Sequence, residues 1–584
     1  MTTAPGTALT GLGLLWPGPA RRPGRVLPAA ACVLGRRDVR ALDAATIAAG
    51  TPALDLMERA GAAIAEVLAA ATDAAAVRVG DRPRLLVLAG NGNNAGDGFV
   101  VARLLAQRDW DCTVALCTGE PRGGGEAAAN LARWRGDGGN VIDRVAACAE
   151  IESPATRFEV VLDALLGTGL DRPVDASLAD LIHRLNSRPW QVSTRHSGSP
   201  LVVAVDVPSG LCADTGRPLG CAVRAALTIA LGAYKPGLFL GEGPGYAGRL
   251  IGADIGLRPP SQAGLEPLGL ALDAASSAGA LAAPSPMAHK GSRGHVLVVA
   301  ASRGKSGAGV LAARAALRSG AGLVTVAVPQ SQQPIVAASL PEAMTATLAE
   351  DEAGAFSVAC LDRLQELIEI ADSVVFGPGV GTGEGAAAVL RSILAKTRGP
   401  VVLDADALNL AARLGSERRR LLAGRVSRML GPVIVTPHPG EMGRLLSMTA
   451  AEVQASRLEL AVNLAKSEGC VVVLKGAGTI ITDGARAAFN TSGNAGMATA
   501  GMGDVLAGVV AALAARCPDV LDAACLAAYA HGLAGDICAG ARAGGRATTR
   551  RPGARVCASR PVAGFLAGEV ADALPAALAE ICAW

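Results

Sequence analysis

Aromatic residues are scarce in this chain, at 3% of 584, and charged residues make up only 18%. The formal net charge is +3, small for this length. Nucleic-acid and membrane-surface binding both need concentrated basic charge, so neither is expected. There are six histidines, but no HExxH and no Cys/His cluster, so no zinc site is expected. Thirteen cysteines are scattered without a CxxC pair. An odd count with no framework points to reduced thiols and a cytoplasmic location. No apolar run reaches transmembrane length; Val505 to Cys517 is too short and contains Arg516. The apolar patch Leu9 to Leu15 precedes Arg21 and Arg22, the reverse of a secretory signal. Residues 1–38, rich in Pro, Gly and Arg, are expected to form a disordered extension, or to follow from an upstream start codon that is not used.

Apolar residues are plentiful, at 51%, enough for more than one large core. Length alone suggests about three or four domains. In the first half, helical spacing covers Val39 to Ile47 and Leu54 to Leu68, with Pro52 between. Arg84 to Ala89 then reads as a buried strand. It runs into GNGNNAGDG, Gly90 to Gly98, and a helix over Phe99 to Gln107. Strand, glycine loop and helix is the layout of a phosphate site in a doubly wound sheet. The loop is not GxGxxG, and a turn held by Asx hydrogen bonds is the structural alternative.

Two further strands, Phe158 to Leu162 and Leu201 to Val205, end at Asp163 and Asp206. Strand C-termini of a parallel sheet share one edge, where ligands bind. One aspartate at a strand end is commonly a turn residue; three polar loops in one domain indicate a site. Asn, Asp and Ser oxygens with backbone carbonyls suit a hard cation, and a monovalent one is plausible. Lys235 lies in a later loop, and a lone Lys is commonly a solvated surface residue.

GNGNNAGDGFVVAR, DALLGTGLDRP, VAVDVPSGL and YKPGLFLGEGPGYAG together resemble the NAD(P)H-hydrate epimerase domain, over residues 39–257. The resemblance implies a Rossmann-like domain that interconverts the R and S forms of hydrated NAD(P)H. It implies substrate contacts from Asn93, Asn94, Ala95, Gly96 and Asp97. It adds Gly167, Thr168, Gly169, Leu170, Asp171, Arg172 and Pro173, together with Asp206. Asn94, Asp163 and Ser209 would ligate one potassium ion. Asp206 is the first candidate acid/base and Lys235 the second. Ala95 stands where the family usually has glycine. If that position needs a positive φ, alanine costs energy there.

Residues 258–286 are rich in Pro, Ala, Ser and Gly and are expected to be a linker. A second α/β alternation follows over 287–584. Its strands end in SRGKSGAG, GPGVGTGEG, DADALN, TPHPGEMGRL and KGAGTII. KGAGT offers a cation and free N–H groups to phosphates, or is simply a hairpin turn. DADALN reads as a helix cap. His438 lies between two prolines, and its chemistry alone does not separate a structural from a functional role. The most telling stretch is Asn490 to Ala515, where GMGD at Gly501 to Asp504 opens an apolar helix. A helix beginning at a glycine turn presents free N–H groups to a phosphate. Asp504 is then either an N-cap or a base that takes a proton from a hydroxyl being phosphorylated.

These motifs, with ARAALRSGAGLVTVAVP and NTSGNAGMATAGMGDVLAG, resemble the ADP-dependent NAD(P)H-hydrate dehydratase, of the ribokinase-like superfamily. The match spans 287–540 and resumes near 561–578, leaving 541–560 as an expected flexible insert. The resemblance implies that Lys475, Gly476, Ala477, Gly478, Thr479 and Gly503 bind the adenine nucleotide. It implies that Gly379, His438 and Asp504 face the hydrated substrate, with Asp504 catalytic, ADP as co-substrate and Mg2+ as its companion. The expected architecture is two three-layer α/β/α domains, N-terminal Rossmann-like and C-terminal ribokinase-like. The expected partners are NADHX and NADPHX, with no nucleic acid, no membrane, and a homo-oligomeric assembly. The competing readings are a small-molecule kinase of the same superfamily and a binding protein with an inactive first domain. The fused first domain and the PHPGE loop weigh against the kinase; intact Asn94, Asp163, Asp206 and Ser209 weigh against the binding protein.

Overall fold

The computed structural model describes residues 28–74, 82–121, 123–153, 158–187, 201–280, 285–542 and 564–582. They fall into two compact units, divided between Leu270 and Ala271.

The N-terminal unit is built on a parallel sheet. Its order is Asn140–Asp143, Asp111–Leu116, Arg84–Ala89, Val160–Ala164, Leu201–Val205, Leu227–Leu231 and Arg249–Ala253. The central strands are apolar almost throughout and buried along their length. Strands covered on both faces require that composition. From Arg84–Ala89 the chain first builds to one side, then returns to build on the other. The strand order therefore reverses between Arg84–Ala89 and Val160–Ala164, and a crevice opens at such a switch point. Gly90 lies in it: a Cβ there would sit 1.9 Å from the carbonyl oxygen of Leu165, so only glycine allows the two strand ends to approach.

One expectation needs correction here. The end of the supposed disordered extension is ordered. Cys32–Val33 forms a strand antiparallel to Gly269 and Leu270, and Leu34 N–H donates to Tyr234 O at 2.9 Å. The reason is apolar: Cys32, Val33 and Leu34 are fully buried. Residues 1–27 lie outside the described residues. The division between the units falls inside the expected linker, 258–286, which carries the strand Gly269–Leu272 and the helix Ala274–Ser277, the latter capped by Asp273. At the far end, the helix Val520–Arg542 runs into the expected insert, whose remainder lies outside the described residues.

In the C-terminal unit the sheet runs Met344–Leu348, Leu323–Pro329, His295–Val299, Ser373–Phe376, Val401–Leu403, Val433–Val435 and Val471–Leu474, all parallel. The antiparallel strands Ile480–Thr482 and Ala487–Asn490 extend it. KGAGT is thus the connection of an antiparallel hairpin. The helix Met502–Ala514 is buried on nearly every side, as an apolar-all-round helix must be. It lies against the helix Ser306–Arg318, where Gly508 leaves no room for a side chain: a Cβ would fall 2.0 Å from Ala312 O. The two units share one feature. Asp206, Ala301 and Ala405 have positive φ, and each follows the C-terminal end of a parallel strand. Non-glycine residues held in that region store strain, and such strain concentrates at functional sites.

Candidate active sites

In the N-terminal unit, three polar side chains converge at the switch point. Asp163 is fully buried. It accepts hydrogen bonds from Ser209 Oγ at 2.5 Å, Ser209 N–H at 2.8 Å and Leu165 N–H at 3.3 Å. Ser209 Oγ in turn accepts from Leu166 N–H at 2.8 Å. Asn94 Nδ2 donates to Leu166 O at 3.2 Å. Asn94, Asp163 and Ser209 are therefore gathered around the Leu166 peptide. Burial pushes the Asp163 carboxyl up to about 6, against the pull of its hydrogen bonds. All of its partners are neutral.

A second group lies at the end of Leu201–Val205. Lys235 is wholly buried, not the solvated residue its isolation suggested. Its ammonium forms an ion pair with Asp206 and donates to Leu231 O at 3.0 Å and Ala233 O at 2.9 Å. Asp206 also accepts from Leu231 N–H at 2.9 Å. Two more carboxyls respond to this pair. Burial raises Asp43 to about 6, with Lys235 lowering it and Asp206 raising it. Burial raises Asp97 as well, with Asp206 and Asp43 adding to the effect and Lys235 opposing it.

Asn93, Ala95, Gly96 and Asp97 do not form an open loop: all lie in the helix Asn93–Ala106. Ala95 and Gly96 are buried, and a Cβ on Gly96 would strike Met57. Ala95 is helical, without the positive φ that would have made alanine costly. The segment Gly167 to Pro173 is mostly exposed. It is tied down by a helix whose part in the site the sequence reading missed. Arg36 Nη1 donates to Leu170 O at 3.2 Å, and Arg40 Nη2 would lie 3.4 Å from a Cβ on Gly169. Arg36, Arg40 and Asp43 are spaced by four and three residues, so they share one face of Arg36–Ala48. That spacing was the available signal.

In the C-terminal unit the helix Met502–Ala514 begins at Gly501, with φ 87°. Gly501 is the N-cap, so Asp504 is not. Gly503 brings the helix start onto a charged cluster: a Cβ there would lie 3.2 Å from Lys475 Nζ and 3.5 Å from Asp404 Oδ2. Lys475 Nζ is 2.6 Å from Asp404 Oδ1 and 3.7 Å from Glu441 Oε2. Thr436 Oγ1 donates to Asp404 at 2.7 Å. Asp404 therefore does not cap the helix Asp406–Leu414, whose N-cap is Ala405. Asp406 instead accepts from Gly381 N–H at 2.9 Å and faces Lys305 at 3.3 Å. Gly379 closes this side, its carbonyl accepting from Ser302 Oγ at 2.7 Å.

Burial, then the charge of Asp404, pushes the Asp504 carboxyl up to about 7. His438 is the N-cap of Pro439–Leu446. Its Nδ1 accepts from Gly440 N–H at 3.0 Å, and His438 N–H donates to Glu441 at 2.9 Å. That capping box fixes the ring and leaves Nε2 3.4 Å from Glu441. Burial, with Lys475 and Arg444 nearby, lowers its pKa. Among the described residues, no three His, Cys, Asp or Glu side chains gather to hold a metal ion, and no helix is long and apolar enough to cross a membrane.

This geometry can be set beside known proteins. Residues 53–237 match the family model described as the YjeF-related protein N-terminus, and residues 296–550 match that of NAD(P)H-hydrate dehydratase. The bifunctional NAD(P)H-hydrate repair enzyme Nnr of Moorella thermoacetica is 38% identical over 539 residues, covering 91% of this chain and 93% of the relative. That of Escherichia coli is 36% identical over 491 residues, covering 84% and 86%. The ADP/ATP-dependent NAD(P)H-hydrate dehydratase of Bacillus subtilis, crystallised with ATP and Mg2+, aligns with 53% of this chain and 97% of its own at 27% identity, with a TM-score of 0.43. The two family models, matched in order, and the Moorella thermoacetica and Escherichia coli enzymes, aligned over most of their length, place the chain in the family of bifunctional NAD(P)H-hydrate repair enzymes.

Proposed function

We propose that this chain repairs hydrated nicotinamide nucleotides in two steps. The N-terminal unit epimerises R- and S-NAD(P)HX. The C-terminal unit dehydrates the S form to NAD(P)H at the expense of ADP, giving AMP and phosphate. One observation carries the second step: a carboxyl raised to about 7 at the start of a buried helix, beside the Asp404–Lys475 pair. A base for a hydroxyl works best when its pKa is close to the working pH.

Hydration leaves a hydroxyl on C6 of the nicotinamide ring, and hydroxide is a poor leaving group. Asp504 takes the proton of that hydroxyl as its oxygen attacks the terminal phosphorus of ADP. AMP departs as the P–O bond breaks. The C6–O bond then breaks, with the ring nitrogen supplying the electron pair, and phosphate leaves. Loss of a proton from C5 restores the C5–C6 double bond. Free N–H groups around Gly503 and the loop Lys475 to Thr479 take up the phosphate charge. Mg2+, if bound with the nucleotide, would supply further positive charge to offset that of the phosphates. Gly379 and His438 would border the substrate.

In the N-terminal unit the C6–O bond breaks and re-forms on the other face of the ring: the hydroxyl takes a proton and leaves as water, with the ring nitrogen supplying the electron pair, and water then adds to the opposite face of C6 and loses a proton. Asp206, held by Lys235, is the group that gives and takes the proton, and Asp43 and Asp97 stand beside it. Asn93 and the Gly167 to Pro173 segment would hold the nucleotide. Asn94, Asp163 and Ser209 form an oxygen-rich set around a buried carboxylate with only neutral partners. That set fits K+, which would supply the missing positive charge and hold the Leu166 turn.

The test uses a mixture of R- and S-hydrated NADH and the whole protein. Recovery of dihydronicotinamide absorbance is followed with ADP and then with ATP. Complete recovery is expected with ADP. Recovery with neither nucleotide would sink the assignment, and recovery of only the S portion would remove the epimerase.

A further inference from the structure

Lys475 is the cation the sequence places at the nucleotide loop, but its charge is already committed. Asp404 lies 2.6 Å from Nζ and Glu441 lies 3.7 Å away. With Asp504 beside them, carboxyls outnumber that ammonium, which is a poor field for a diphosphate. Another cation lies beneath the same loop. Arg457 opens the helix Arg457–Glu468 and is 4% exposed. Its known partners are all uncharged. Nη1 donates to Gln454 at 2.8 Å and Lys475 O at 3.3 Å. Nη2 donates to Leu474 O at 3.0 Å, Lys475 O at 3.3 Å and Gly478 O at 3.4 Å. Its Nε is buried and meets no hydrogen-bond partner among the described residues. A buried guanidinium without a counter-charge is costly unless something else on the site uses it.

The fork does more than carry charge. It binds the carbonyl of Leu474, at the strand end, and those of Lys475 and Gly478 in the hairpin connection. Gly476 and Gly478 take positive φ, 133° and 64°, and Thr479 Oγ1 closes the turn on Gly476 O at 2.8 Å. Among the described residues, the N–H groups of Gly476, Ala477 and Gly478 meet no backbone carbonyl. Carbonyls turned in and consecutive N–H groups left unbonded make an anion-binding concavity. A side chain at Gly476 would lie 3.1 Å from Arg457 Nη1, so loop and guanidinium are fitted to one another.

We propose that Arg457 is the positioning residue of the nucleotide site: it shapes the Lys475 to Thr479 turn for phosphate and supplies the net positive charge there. This rests on the reading of that loop as the ADP site. Lys475 then serves the carboxyl cluster and not the nucleotide.

The experiment compares wild type with R457K and R457Q in the full chain. R457K keeps the charge but loses the planar fork that reaches three carbonyls. Calorimetric titration with ADP should show affinity weakened at least tenfold in R457K and further in R457Q. The KM for S-NADHX and epimerisation by the same preparation should stay within twofold of wild type. Turnover of R457K at saturating ADP should stay within about threefold. A general loss of packing would instead lower the active fraction and leave the KM for ADP unchanged. R457K with wild-type ADP affinity overturns the proposal, and so does an equal loss of affinity for ADP and for hydrate. If R457Q does not fold, R457K alone decides. A wild-type protein that does not take up ADP brings down the loop assignment as well. Normal uptake by wild type with an unchanged R457K brings down this inference alone.

Discussion

Lys235 in the N-terminal unit is wholly buried, with its ammonium on Asp206. Lys475 in the C-terminal unit is partly buried, its side chain 17% exposed, with its ammonium on Asp404. Both pairs sit where a parallel strand ends. The carboxyls left over differ. In the C-terminal unit the lysine holds a neighbouring aspartate, and the proposed base, Asp504, stands apart with its carboxyl raised to about 7 by burial and by Asp404. In the N-terminal unit the lysine holds the acid/base candidate itself, and the raised carboxyls are its neighbours Asp43 and Asp97. On the proposed roles, one site divides charge and proton transfer between two aspartates. The other places both on one ion pair. That division suits the reactions: phosphoryl transfer needs a free base, whereas epimerisation needs a group that both gives and takes a proton.

The largest expected effect tests the free base. D504N should lower dehydration on the order of 10³-fold. Epimerisation, followed by chromatographic separation of the R and S forms, should be intact. A loss under tenfold would mean that proton removal lies elsewhere; loss of both activities would mean that the units are misassigned.

The joined pair predicts a different pattern. D206N should slow epimerisation about 10²-fold while S-NADHX is still dehydrated with ADP. The double variant D206N/K235M should be no slower than D206N, because groups that act as one unit are not additive. A further large drop would give lysine and aspartate separate roles and erase the contrast with the C-terminal unit.

The comparison also shows where the sequence was readable. Strand ends were legible because an apolar run stopping at Gly, Asp or Asn is a local signal. Arg84–Ala89, Leu201–Val205, Ser373–Phe376, Val433–Val435 and Val471–Leu474 all fall where that signal puts them. Short polar or isolated strands gave none, as with Asn140–Asp143 and Cys32–Val33. Pairings across the chain were illegible for a different reason. Lys235 beside Asp206, Asp404 beside Lys475, and Asp43 beside both members of the first pair depend on which strand ends become neighbours. Strand order decides that, and no local window contains it. Hence a lysine assigned to solvent is buried, and an aspartate assigned to a cap is a charge partner.

The C-terminal arrangement also makes a pH prediction. Asp504 must be ionised to accept a proton, so dehydration should be full above about 7 and fall as the pH drops through that value. The negative charge of Asp404 raises the Asp504 pKa, so D404N should move this limb to lower pH. Release of Lys475 from its pair acts in the same direction. Turnover measured from pH 5 to 9 at saturating ADP reads both. An unmoved limb would show that Asp404 does not tune the base. The R/S exchange rate, whose acid/base is already tied to lysine, should keep its own profile in D404N.

The smallest effect concerns Ala95, where the sequence suggested a compromised loop. Its backbone is helical and its methyl is buried in the helix Asn93–Ala106. Glycine would therefore relieve no strain. It would add freedom to the unfolded chain and remove a packed methyl, costing about 1 kcal/mol. A95G should exchange the amide hydrogens of that helix faster and leave the KM for epimerisation unchanged. A faster epimerase in A95G would mean that the loop before the helix must open in turnover and that alanine restrains it. The N-terminal site would then be limited by backbone motion, in contrast to the fixed charge cluster around Asp504.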